Sequence, residues 1–95
     1  MLTVVVTYFC KPGMREVFIE KSGAAGVPAG SRADKGNICY DLAPAADKPD
    51  ILYLFEKWES EADQIAHLDT PHIKALKPIK EECVENTVIE KFITD

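Results

Sequence analysis

No apolar run in the chain approaches the ~20 residues that a bilayer-spanning helix needs, and no basic segment precedes Leu2. Neither a membrane span nor a secretory leader is expected, and the expected address is the cytoplasm. Basic residues are scarce, with 11 Lys and Arg against 16 Asp and Glu, for a net charge of -5 and no basic cluster. Nucleic acid is excluded as an expected partner, because the electrostatic footprint for a phosphate backbone is missing. Cys10, Cys39 and Cys83 form neither a CxxC pair nor a zinc-like set. They read as reduced structural thiols. GxGxxG, a phosphate loop, a nucleophile elbow and CxxCH are all lacking, so no cofactor motif is present.

What is there reads as one domain over residues 1–95, 46% hydrophobic and 28% charged, with a modest core burying somewhat above ~60% of the unfolded surface. Leu2 to Phe9 is β-branched and aromatic and predicts a strand with apolar residues on both faces. Lys11-Pro12-Gly13 ends it. Met14, Val17, Phe18 and Lys21 to Ala25 then recur at helical spacing until Gly26 and Pro28 stop them. Pro28 to Gly36 reads as a polar connection, Asn37 to Ala43 as a second strand, and Pro44 to Pro49 as a mobile loop to a neighbouring strand. Ile51 to Phe55 is a central strand covered on both faces. Ser60 offers an N-cap to a helix with Glu61 and Asp63 in its first turn. Thr70-Pro71 restarts a short helix that runs to Pro78, and Val84 to Ile93 alternates as an edge strand. The order is βαββαβ, an α+β ferredoxin-like arrangement. Helices on one face of the sheet leave an apolar second face, for which another copy of the chain is the simplest cover.

Period two places Leu52, Leu54, Glu56 and Trp58 on one face of the central strand and Ile51, Tyr53, Phe55 and Lys57 on the other. His67, beside the buried stripe of the next helix, can meet the face carrying Trp58. It is a candidate proton acceptor, or alternatively a structural histidine bonded to Glu56. Trp58 serves equally as core or as the wall of a pocket for a planar ligand. Glu56, if buried, needs a partner and is a candidate base or orienter of His67. Tyr40 and Tyr53 are candidates for contact with a bound ring, and which of them faces the cavity is left open. His72 reads as exposed or capping, with substrate contact as its functional alternative. Its separation of five from His67 is wrong for two ligands on one helical face, so no metal site is expected.

Glu56-x-Trp58-x-Ser60, Ala66-His67 and Thr70-Pro71-His72, with Lys11-Pro12-Gly13, Asp34-Lys35-Gly36-Asn37 and Cys39-Tyr40-Asp41-Leu42 upstream, resemble the antibiotic biosynthesis monooxygenase (ABM) family. The resemblance covers nearly the whole chain. At the acidic-proline-glycine site usual in that family, Lys35 replaces the proline. The resemblance implies a dimeric α/β barrel in which last strands reach across to the partner. It also implies a cofactor-independent monooxygenase acting on a quinol or polyphenol-like aromatic with dioxygen, the substrate itself supplying the electrons. His67 would take the proton, while Trp58 and a tyrosine would hold the ring. Some relatives bind haem through an asparagine on the first strand and a late histidine, but this first strand has no asparagine and Lys77 and Pro78 follow Leu76. Two alternatives stand beside this expectation. One is an isomerase of a small phosphorylated carbonyl compound, with Arg32 and Lys35 as the nearby cations. The other is a non-catalytic dimeric binding module whose pocket is filled by its own side chains.

Overall fold

The computed structural model describes residues 1–94. Its elements are β1 (Leu2–Cys10), α1 (Arg15–Ala24), α2 (Val27–Ala33), β2 (Asn37–Pro44), β3 (Ile51–Trp58), α3 (Glu61–His67), α4 (Pro71–Cys83) and β4 (Val84–Ile93). The strands form one antiparallel sheet in the order β2-β3-β1-β4. This is the ferredoxin-like α+β order, with β4 at an edge as its mixed polarity predicts.

Alternation decides what is buried. Leu2, Val4, Val6 and Tyr8 of β1 and Leu52, Leu54, Glu56 and Trp58 of β3 are all buried on the face the helices cover. Register then lines these residues up in rows across the sheet. One row is Tyr40, Glu56, Val4 and Lys91; the next is Leu42, Leu54, Val6 and Ile89; a third holds Leu52, Tyr8 and Thr87. The first row is polar and the second apolar. On the opposite face Phe9, Phe55, Val88 and Phe92 remain 37%, 42%, 41% and 49% exposed.

Three local expectations need correction. The supposed polar connection contains α2, because Pro28 sits in a first turn, where a missing N–H costs nothing, and Val27 and Ser31, one turn apart, turn inward. Gly26, at φ +76°, makes the left-handed turn from α1 that a side chain would resist. Pro78 does not end the last helix. Helix α4 continues through it to Cys83, since Leu76, Ile79 and Cys83 pack on the core and outweigh the ~3 kcal/mol an interior proline costs. The loop before β3 is held rather than free: Arg15 Nη1 donates to the carbonyls of Ala45 and Lys48 at 3.1 and 3.0 Å, and the Gly13 N–H to Asp50 at 3.0 Å. A bulge between Asn37 and Cys39 turns Ile38 out, away from the buried side of its neighbour Tyr40.

Candidate active site

The site grows from the end of β3. Glu56 and Trp58 point the same way, and the Trp58 indole N–H donates to Glu56 Oε1 at 3.0 Å. Helix α3 starts where expected, with Ser60 Oγ accepting from the Asp63 N–H at 3.2 Å, and ends on His67. Thr70 does not cap α4 through its side chain; its hydroxyl donates to the His67 carbonyl at 2.7 Å. That bond ties the two helices together behind the imidazole.

The His67 ring is 3% exposed. It lies 4.6 Å from the Trp58 ring and 5.8 Å from the Tyr40 ring, centre to centre. Its Nδ1 is 2.7 Å from Asp34 Oδ2 and its Nε2 3.9 Å from Glu56 Oε1. The orienting partner is therefore Asp34 and not the expected Glu56. His72 Nε2 meets the same Asp34 oxygen at 2.8 Å, so His72 is neither free nor in contact with the cavity. The two histidines belong to different helices, and the spacing rule for one helix does not govern them. Their ligating atoms and that of Asp34 lie within 4.8 Å of one another, making these three the residues that could hold a divalent ion. At 2.7 and 2.8 Å the contacts have hydrogen-bond spacing, whereas a shared ion would draw all three atoms to within about 2.0–2.2 Å of itself.

Glycines shape this corner. A Cβ on Gly30 would stand 2.7 Å from the His72 ring, and one on Gly36, at φ +81°, 2.2 Å from Asp63. Lys35, between Asp34 and Gly36, has a side chain 93% exposed, so loss of the usual proline costs no packed contact.

Charge states follow from these partners. Burial works against an Asp34 carboxylate, but hydrogen bonds from His67 and His72 outweigh it and hold the group below the usual range. An ionised carboxylate only accepts, so both facing ring nitrogens carry protons. The His67 Nε2 is then the unprotonated atom. Burial lowers the His67 pKa, against the pull of Asp34, which favours the neutral base. Burial raises Glu56 despite the Trp58 bond and Lys91, and burial and Glu56 together raise the Tyr40 hydroxyl.

His67 and Glu56 open on a cavity of about 170 Å3 between sheet and helices, which Tyr40, Tyr8, Leu54 and Ile73 also line. The interior is thus not filled by side chains. Trp58 is fully buried beneath His67 and does not form a wall of the cavity. Tyr53 falls on the far face of the sheet, opposite Thr7, because it is out of phase with Leu52 and Leu54. Arg32 donates to the Tyr40 carbonyl and pairs with Asp41; neither it nor Lys35 lines the cavity. Sequence reasoning passed over Asp34, Tyr8, Gln64, Lys80 and Lys91. Asp34 stood in view within Asp34-Lys35-Gly36, but nothing in linear order joins it to a histidine 33 positions away.

Residues 1–78 match the family model described as antibiotic biosynthesis monooxygenase. The chain belongs to this family. A protein named probable quinol monooxygenase YgiN, from Escherichia coli K12, is 33% identical over 105 aligned residues, covering 98% of this chain and 93% of that protein. Among solved structures, PA3566 from Pseudomonas aeruginosa superposes with a TM-score of 0.87 at 27% identity, covering 98% and 92% of the two chains. One from Nitrosomonas europaea, described as a putative antibiotic biosynthesis monooxygenase, reaches 0.90 at 22% identity over 99% and 98%, a likeness of fold. No helix among the described residues is long and apolar enough to cross a membrane.

Proposed function

We propose that this ABM-family chain is a cofactor-independent monooxygenase that oxidises a quinol or polyphenol-like aromatic with dioxygen, acting in the cytoplasm as a homodimer. The observation that carries this reading is His67, whose Nδ1 is fixed by Asp34 and whose lone-pair nitrogen faces a partly apolar cavity beside Glu56. His67 is the proton acceptor, and Asp34 and Trp58 are positioning residues. Tyr40 lies against the ring. The cavity is of the right order for one ring, since ~150 Å3 accommodates benzene.

Deprotonation makes the substrate a reductant. His67 Nε2 takes a hydroxyl proton, the ring anion passes one electron to dioxygen, and the two radicals join in a carbon–oxygen bond. The resulting peroxide then breaks its O–O bond. One oxygen stays on the ring as a hydroxylated quinone, the other leaves as water, and all four electrons come from the quinol. Excluding bulk water protects the radical pair. Arg32 and Lys35, the cations expected for a phosphate-binding isomerase, lie outside the cavity.

The test is oxygen uptake by His67→Ala on a neutral quinol. Loss of a general base lowers the rate by about 10²–10⁴-fold with the fold retained by circular dichroism. Undiminished uptake in the folded variant refutes the assignment.

A further inference from the structure

The cavity has a second polar end that deprotonation at His67 leaves unused. Two residues of strand separate successive sheet rows, so the row of Glu56 and the row of Tyr8 and Thr87 are roughly 13 Å apart. Over the far row α4 places Lys80, its Nζ 5.7 Å from the centre of the Tyr8 ring. Lys80 is half-buried at the cavity edge, and burial alone depresses its ammonium. Among the described residues no carboxylate lies within 4 Å of it, as for most lysines of the chain; only 21, 35 and 74 are so paired, and Lys80 differs from the rest in lining the cavity half-buried with no directed hydrogen bond. Among the described residues a cation partly withdrawn from water is thus left without an acidic partner. The face of Tyr8 attracts that charge but accepts none of its directed hydrogen bonds. Lys91 at the near end differs, since its ammonium already donates to Gln64 at 3.2 Å.

An ammonium such as that of Lys80, on a residue that lines the cavity, is completed by an anion on the guest. We propose that the substrate is a dihydroxyaryl carboxylate, its ring hydroxyl at His67 and its carboxylate, on a short chain, at Lys80. A bare quinol offers the ammonium no anion, whereas a ring carrying a carboxylate on a short arm offers one. Lys80 is then a specificity-determining residue. The His67 end of this assignment rests on the monooxygenase reading, but the Lys80 end does not.

Isothermal titration of the full chain under nitrogen, with 2,5-dihydroxyphenylacetate and with its uncharged primary amide, reads the contribution of the carboxylate. The acid is expected to bind about tenfold more tightly or better. Lys80→Met abolishes that preference by weakening the acid far more than the amide, Lys80→Arg restores most of it, and thermal melts check that both variants are folded. Should oxygen uptake on a neutral quinol depend on His67 while acid and amide bind alike, the monooxygenase reading survives and this proposal fails. Equal affinities, binding of neither compound, or a preference that persists in Lys80→Met each overturn it.

Discussion

At the scale of single residues the proposed reaction depends on which nitrogen of His67 is bare. Burial depresses the His67 pKa and Asp34 opposes that depression, so the acid limb of kcat/KM for oxygen uptake is expected below pH ~6.5, the ordinary histidine value. Activity rises with pH through that limb and is flat above it. Stability has the same sign. As pH falls below ~6.5 the unfolded chain binds a proton that folded His67 resists, and the folded state loses ground until its own lower pKa is reached. Asp34→Asn removes the charge that raises the pKa, so the limb moves to lower pH while the rate falls by part of the ~10²–10⁴-fold tied to the base. A pH-rate profile showing the limb unmoved in this variant contradicts the orienting role. Of this cluster, Glu56, Trp58 and His67 were legible because period two and the start of α3 fix their direction. Asp34 and His72 were not, since their meeting depends on how α2 and α4 pack, which no local pattern encodes.

At the scale of elements, α2 and α4 meet through Gly30 and His72. An alanine at 30 places its Cβ 2.7 Å from the His72 ring, so Gly30→Ala is expected to destabilise by about 1–3 kcal/mol in urea titration, as overpacking does. Removing the ring removes the conflict. In a His72→Ala background the same change is expected to stabilise by up to ~1 kcal/mol, the helix preference of alanine over glycine. Equal effects in both backgrounds show that the two positions do not couple. The same two helices are where the pattern misled. Pro28 and Pro78 are the same residue type with opposite readings, a start in α2 and an accommodated interruption in α4, and only the burial of Val27, Leu76 and Cys83 distinguishes them.

At the scale of the whole molecule the strand pattern foretold a central β3, an edge β4 and an uncovered sheet face, because both faces of β1 and β3 are apolar in the sequence itself. It could not foretell the cover. The chain exposes 5409 Å2, close to the ~5.4 × 10³ Å2 that size scaling gives a compact monomer of 10.5 kDa, so total surface does not demand a partner. Phe9, Phe55, Val88 and Phe92 alternate with part-buried Val5, Thr7 and Tyr53 across three adjoining strands, a concentration uncommon on a surface left to water. The proposed sheet-to-sheet homodimer would cover it, and a standard interface of ~800 Å2 per copy would take about a seventh of the surface. Light scattering at micromolar concentration is expected to give twice the chain mass, with a Tm that rises with protein concentration because association stabilises the folded state. Phe55→Asp sets a charge against the partner sheet, and is expected to halve the mass and remove the concentration dependence. A wild-type chain that runs as a monomer with a constant Tm would leave the apolar face without its second copy, and the homodimer would have to be abandoned while the His67 chemistry within each chain stood.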